Sequence, residues 1–485
     1  VGDLNGVTEQ LDHVASLGVD AIWLAPHYVS PWADGGYDVA DHRAVEPRLG
    51  TLADFDRLVA RAHELGLRVI VDQVLNHTSC EHPWFVAALD GDDAMAERYL
   101  FLDPKPDGTP PNNWLSFFGT PGWTWSHRRR QYFFHQFLAC QPSLDLRHPQ
   151  VQEAHRDQIR YWRDRGVDGF RFDAVTSYLW DESLADNPPA TPEVKARVQG
   201  PDFSPYTWQD HVHDMLPGDG ADYAQKLRDW AGEDAWLLGE IGTGNKSFEI
   251  CMSFSAPGRL DAAYSTDLPE SHGAPAVVAR AVDQTDLQRF AHWMSCHDQP
   301  RHNRSGTPEE ARFFALLMAV LPGPWILYQG EEWGLPQPEL LKEEITDPYD
   351  LLYWPNHPGR EGPRVPMPWD PDAGNFGFTD GTPWLPMRWQ PGPLRQAQQE
   401  DGVAATYRRL IALRREMGWA AAAMEKCDHG EDWLELCLLG EQGRFRAWFG
   451  YGPEADAPAI DDDALCFALK GNGDAEWRAA VWKLD

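Results

Sequence analysis

Residues 51–72 read TLADFDRLVARAHELGLRVIVD, and the organisation of the chain follows from them. Thr51 with Asp54 can cap a helix start. Leu52, Phe55, Leu58, Val59, Ala62 and Leu65 then recur on one face of a helical period. Gly66 ends the helix, and residues 68–72 follow as a short buried strand. The unit returns as a helix near 151–164, Gly166 as terminator and a strand at 168–173, and again as a helix at 223–231 feeding a strand at 235–240. Further strands are expected at 21–26, 260–264, 291–294 and 325–328. Apolar strands separated by amphipathic helices imply parallel pairing, because parallel strands need long crossovers.

This gives seven strands, whereas a closed (β/α)8 TIM barrel takes eight. The shortfall is at the front, where Val1 opens directly into Gly2-Asp3-Leu4-Asn5-Gly6 and a helix. The expected fold is therefore α/β, a (β/α)8 TIM barrel whose first strand is absent from the sequence. An open, doubly wound seven-stranded sheet is the alternative. Two stretches break the rhythm. The aromatic, Pro-rich run from His77 to Asp145 is too long for an ordinary βα loop; it reads as a small inserted domain after strand 3. The tail carries short apolar runs such as 434–439 and 464–469 and reads as a C-terminal β domain. The expected division is 1–76 and 146–416 for the barrel, 77–145 for the insert and 417–485 for a C-terminal β-sandwich.

Composition narrows the function. The formal net charge of −33 would repel nucleic acid and acidic membrane surfaces but not a neutral substrate. No apolar run approaches the length of a bilayer span. The seven cysteines are scattered without a CxxC pair, which fits a reducing compartment, and a cytoplasmic location is expected. Tryptophan is abundant, and runs such as Pro121-Gly122-Trp123-Thr124-Trp125 suggest aromatic loops around a cleft, as stacking on sugar faces requires.

In a barrel, reactive groups sit at the C-terminal ends of strands. Asp72, with Asn76 and His77, ends one; Arg171 and Asp173 end another; Glu240 ends a third; His297 and Asp298 follow a fourth. An acid alone in such a place is often a cap or an ion pair. Four of them on one rim are costly unless chemistry uses them. Two carboxylates are the minimum equipment for breaking a glycosidic bond, one to attack the anomeric centre and one to protonate the leaving oxygen. Arg171, two residues before Asp173 on a strand, points to the same face and would hold that carboxylate ionised.

The segments Asp72-Gln73-Val74-Leu75-Asn76-His77, Gly169-Phe170-Arg171-Phe172-Asp173, Gly239-Glu240 and His297-Asp298 resemble the four ordered signature regions of the α-amylase superfamily. With Gly35-Gly36-Tyr37-Asp38-Val39 and Arg364-Val365-Pro366-Met367-Pro368-Trp369 they look like its exo-acting branch of α-glucosidases and oligo-1,6-glucosidases. The resemblance implies Asp173 as nucleophile, Glu240 as general acid/base and Asp298 as a third carboxylate that binds sugar hydroxyls. It implies Asp38, His77, Arg171 and His297 around the reacting glucose, Tyr37 stacked beneath it, and Arg364 closing the non-reducing end. Asp186-Asn187-Pro188-Pro189 followed by Pro205-Tyr206 is similar to a bacterial α-glucosidase subgroup that favours small glucosides and transfers glucose to alcohols. Ala174 stands where relatives that cleave α-1,6 bonds carry Val, which favours α-1,4.

Three departures stand out. Cys296 replaces a usual Asn, Gln141-Pro142-Ser143-Leu144-Asp145 replaces Gln-Pro-Asp-Leu-Asn, and Val1 to Leu4 resembles only the end of a family metal loop. Asp3 and the Val1 carbonyl are the residues left to hold a structural Ca2+ or Mg2+; the chemistry itself needs no cofactor. The expected partners are a small α-glucoside and sugar or alcohol acceptors, with neither nucleic acid nor membrane. Alternatives are a sucrose- or trehalose-isomerising glucosyltransferase and a non-catalytic sugar-binding homologue.

Overall fold

The computed structural model describes residues 2–196, 202–242, 246–356, 359–452, 455, 464–469 and 477–484. They group into two compact units, one of Asp3–Leu11 with Asp20–Ser265, the other of Val1–Gly2, Asp12–Val19 and Thr266–Asp485.

The first unit is built on a five-stranded parallel sheet of β1 (Ala21–Leu24), β2 (Arg68–Gln73), β3 (Gly169–Phe172), β4 (Trp236–Glu240) and β5 (Ala262–Tyr264), adjacent in chain order. Helices α1 (Leu4–Ser16), α2 (Leu52–Glu64), α3 (Pro149–Arg163) and α4 (Pro217–Ala231) precede the first four strands. The start of α2 is the expected capping box: Thr51 Oγ1 accepts the Asp54 N–H at 3.2 Å, and Asp54 Oδ2 accepts the Thr51 N–H at 2.7 Å. Phe55, Leu58, Val59 and Ala62 of α2 are buried, so its apolar stripe faces the core as the period requires. In register, Asp72 lies opposite Arg171 and Glu240 opposite Tyr264, which sets the strand-end polar groups side by side. Gly169 is needed here, since a Cβ would collide with the Trp236 carbonyl of the next strand. Between β2 and β3 lies a three-stranded antiparallel sheet of Phe101–Leu102, Gln131–Phe134 and Trp123–Ser126. Trp123, expected in a cleft loop, is instead buried with Trp114, Phe134 and Trp180 in an aromatic core.

In the second unit, α5 (Pro308–Val320) is buried along most of its length and α6 (Val403–Glu416) along one side. The two strands expected at 291–294 and 325–328 shrink to one parallel bridge, His292 with Trp325, flanked by the His292 N–H on Pro324 O and the Ile326 N–H on His292 O, both at 3.0 Å. Pro322 and Pro324 have no N–H to give a ladder, so pairing cannot extend towards them. The tail forms an antiparallel sheet of β6 (Ala423–His429), β7 (Trp433–Gly440), β8 (Gly443–Tyr451), β9 (Leu465–Leu469) and β10 (Trp477–Lys483), ordered β6-β7-β8-β10-β9. Parallel strands alternating with helices, followed by an antiparallel tail, are the pattern of a (β/α)8 barrel with a C-terminal β domain. Among the described residues, no helix is long and apolar enough to cross a membrane.

Five buried histidines make the fold sensitive to acid. Burial presses His27, His155 and His292 down to about 3 and His77 and His135 down to about 4. Between about pH 4 and the ordinary value of 6.5 the unfolded chain therefore binds more protons than the folded one. The stability these groups contribute is complete above pH 6.5 and is lost as pH falls through that window, each by up to about 1.4 kcal/mol per pH unit. Thermal unfolding followed from pH 7.5 to 4.5 should show a midpoint that drops steeply below 6.5. A midpoint level down to pH 4.5 would contradict this account.

Candidate active site

In the first unit, one guanidinium organises the strand ends. Arg171 on β3 has no exposed side-chain surface. Its Nη1 donates to Asp72 Oδ1 and Oδ2 at 2.9 and 3.0 Å and to Asp173 Oδ1 at 2.7 Å, and its Nη2 pairs with Glu240 Oε2 at 2.6 Å. Its Nε donates to the Tyr264 hydroxyl at 3.0 Å. Burial alone would weaken the arginine's charge, but Asp72 and Glu240 more than offset it and fix the cation. Three carboxylates around one buried cation is an arrangement a packed core does not need, and it sits where strands end.

The residue after Asp173 is strained. Ala174 is left-handed at φ 44°, an uncommon state for a residue with a side chain, and its N–H donates to Glu240 Oε2 at 3.0 Å. The turn out of β3 thus adds a second hold on Glu240. The Glu240 side chain is 21% exposed and that of Asp173 11%, so both reach the surface of the unit while Arg171 and Asp72 lie wholly beneath it.

The residues expected around the sugar fare differently. Tyr37 is buried and donates its hydroxyl to Asp72 Oδ2 at 3.0 Å. His77 is buried, with Nε2 3.0 Å from the Tyr37 carbonyl oxygen and Nδ1 3.1 Å from Asn76 Oδ1, of which a neutral ring can donate to only one; burial lowers its pKa to about 4. Asp38 is a correction. It is fully buried, and its oxygens accept Ser30 Oγ at 2.9 Å, the Ala33 N–H at 2.9 Å and the Asp34 N–H at 3.1 Å, so it shapes the turn instead of offering a carboxylate to a sugar. Burial raises its pKa against those donors. The acid that joins His77 is Asp34, missed in the sequence: Gln141 Nε2 donates to Asp34 Oδ2 at 2.9 Å and lies 3.1 Å from His77 Nε2. Trp23 at the end of β1 was also missed; its indole N–H donates to Asp72 Oδ2 at 3.3 Å.

In the second unit, His297 and Asp298 form a pair, Nε2 to Oδ2 at 3.0 Å. Arg364 Nε donates to the His297 carbonyl at 2.9 Å and its Nη2 to Asp298 Oδ1 at 2.8 Å. Burial pushes the Asp298 pKa up, but His297, Arg360 and Arg364 outweigh it and hold the carboxyl well below the usual range. Cys296 puts its Sγ 3.3 Å from the Asp298 N–H, so the thiol stands as an acceptor where an Asn was expected.

Of the two residues expected at a metal, Val1 lies outside the described residues. Asp3 is engaged otherwise, its Oδ1 accepting the Gly6 N–H at 2.7 Å in the first turn of α1. Among the described residues, no group of three or more His, Cys, Asp or Glu comes together to hold a metal.

In the first unit, Asp72, Asp173 and Glu240 are thus gathered at the strand ends around one buried cation. The chain belongs to the α-amylase family, whose catalytic domain matches residues 1–422. It is a glycoside hydrolase, with α-glucosidase and oligo-1,6-glucosidase homologues. It is 40% identical over 435 residues to a probable alpha-glucosidase of Rhizobium meliloti (strain 1021), covering 86% of this chain and 78% of that one. It is 32% identical to an oligo-1,6-glucosidase of Heyndrickxia coagulans, covering 85% and 81%. The crystal structure of the alpha-glucosyl transfer enzyme XgtA is similar at a TM-score of 0.92 and 36% identity, covering 100% of this chain and 95% of that one. A likeness of that extent establishes the barrel over the open doubly wound sheet.

Proposed function

We propose that the chain is a retaining exo-α-glucosidase that hydrolyses short α-1,4-linked glucosides such as maltose and also passes glucose to alcohols. One observation carries this reading: Asp173 and Glu240 are held by the two terminal nitrogens of a single guanidinium, the side-by-side arrangement that double displacement needs. Asp173 attacks the anomeric carbon as Glu240 gives a proton to the leaving oxygen, and a glucosyl–Asp173 ester forms. Glu240 then takes a proton from water or an acceptor alcohol, whose oxygen displaces Asp173 and regenerates both acids. Arg171 keeps Asp173 ionised for attack. Asp298, oriented by Arg364, takes sugar hydroxyls; His77, His297 and Tyr37 line the glucose, with Asp34 in the place first given to Asp38. Ala174, small and polar-edged at its backbone, supports the α-1,4 preference. The similarity to the alpha-glucosyl transfer enzyme XgtA supports transfer to acceptors.

Proton NMR of the hydrolysis of an aryl α-glucoside, whose only sugar product is the transferred glucose, should show α-glucose first, with β-glucose appearing only by mutarotation. Maltose should be cleaved faster than isomaltose, sucrose or trehalose, and added alcohol should give an alkyl α-glucoside. Initial β-glucose would end the double-displacement reading. Rearranged disaccharide with little free glucose would point to an isomerising glucosyltransferase instead.

A further inference from the structure

The second unit contains a closed ring of four charges of which the sequence names only half. Arg360 reaches Asp298 Oδ1 through Nη1 at 3.2 Å and Asp347 Oδ2 through Nε at 2.9 Å. Arg364 reaches the same two oxygens through Nη2 at 2.8 Å and Nη1 at 3.0 Å. Each arginine bridges both carboxylates, and each carboxylate gives one oxygen to both arginines. The other oxygen of Asp298 meets His297. The other oxygen of Asp347 accepts the N–H groups of Tyr349 and Asp350 at 2.9 and 3.0 Å, capping the helix Pro348–Tyr353. The Asp347 N–H donates to the buried Glu361 at 2.9 Å, and Glu361 also accepts Thr346 N–H and Oγ1, each at 2.6 Å. Asp347 is thereby fixed from three sides and is itself buried.

We propose that Asp347 is a positioning residue for Asp298: anchored to a helix start by one oxygen, it holds Arg360 and Arg364 as a fork on Asp298 Oδ1 and so sets how that carboxylate is presented to sugar hydroxyls. The proposal rests on the α-glucosidase reading. The ring balances two cations with two anions. Without Asp347 both arginines lose an anchor and one positive charge is left over, drawing Asp298 towards the guanidinium groups and away from substrate. Ion-pair groups that share partners are coupled, so an effect of Asp347 that passes through Asp298 should shrink when Asp298 is already changed, whereas one that passes through Arg364 alone should not.

Asp347→Asn keeps the shape and the cap while removing the charge. With an aryl α-glucoside, kcat/KM of this variant should fall about tenfold or more, mainly in kcat, with the thermal midpoint recorded alongside. In an Asp298→Asn background the same change should cost less than about twofold. Should Asp347→Asn fail to fold, Arg360→Lys tests the same coupling, since a lysine keeps the charge but cannot bridge two carboxylates. Equal losses with and without Asp298, or Asp347→Asn turnover within about twofold of the parent, would overturn the proposal. Full turnover in Asp298→Asn would also overturn the proposal, since Asp298 would then have no part to be positioned for; no turnover in the parent chain would instead overturn the α-glucosidase reading beneath it and is distinguishable from both.

Discussion

Replacing Asp173 with Ala is expected to lower kcat on both maltose and an aryl α-glucoside by on the order of 10⁴-fold or more, as loss of a covalent nucleophile does. Glu240→Ala should behave differently. Its first duty is to protonate the leaving oxygen, which an aryl leaving group hardly needs and a sugar leaving group does. Turnover of maltose should therefore fall by roughly 10²- to 10⁴-fold, and formation of the glucosyl–enzyme from an activated aryl glucoside by far less. The glucosyl–Asp173 ester should then accumulate and be detectable by intact-protein mass. Azide, which needs no base, should release it as α-glucosyl azide. The two acids are told apart because the structure treats them unequally: Asp173 shares Nη1 of Arg171 with the buried Asp72, whereas Glu240 takes Nη2 and the strained Ala174 N–H. Near-normal turnover in Asp173→Ala would remove it as nucleophile, and identical behaviour of the two variants on aryl and sugar leaving groups would remove the division of roles.

What could be read beforehand was what periodicity and strand ends encode. The apolar stripe and capping box of α2, the glycine terminators, and Asp72, Arg171, Asp173 and Glu240 at strand ends all follow from local rules, and the parallel register then brings the acids together. Trp23 and Tyr264 obey the same strand-end rule but were passed over because neither is an acid; their polar tips complete the partners of Asp72 and Arg171. Asp34 and Asp38 stand on either side of Gly35-Gly36-Tyr37, and the resemblance pointed only to Asp38. The two glycines, at φ 58° and 102°, reverse the chain there, so Asp38 folds back on its own turn while Asp34 meets Gln141. No periodic signal could foresee that reversal. Asp347-Pro348 carries the signature of a helix start, but that signature says nothing of the second oxygen, and Arg360 lies in an irregular stretch; only the structure shows two arginines sharing two oxygens.

The other large effect is expected at Arg171. Arg171→Met removes the guanidinium of this cluster on β3 and takes from Asp72, which has no exposed surface, its ion pair with Arg171. Breaking a buried pair from one side costs roughly 3–5 kcal/mol, because the remaining charge is neither solvated nor matched. Urea unfolding should show that loss, and turnover should fall together with it, since Asp173 and Glu240 lose the group that orients them both. Stability and chemistry can be separated by a second change. Adding Asp72→Asn to Arg171→Met removes the uncompensated charge while keeping acceptors for Tyr37 and Trp23, so most of the lost stability should return. Turnover should not return, because Asp173 and Glu240 have both lost the Arg171 guanidinium that held them. Arg171→Lys gives the complementary case: it restores the charge but supplies one ammonium where two nitrogens served two carboxylates, so it should fold near normally yet remain impaired about a hundredfold or more. Recovery of turnover in the Met/Asn double variant would mean that the guanidinium serves only to hold the barrel floor together, and that the two acids find their places without it.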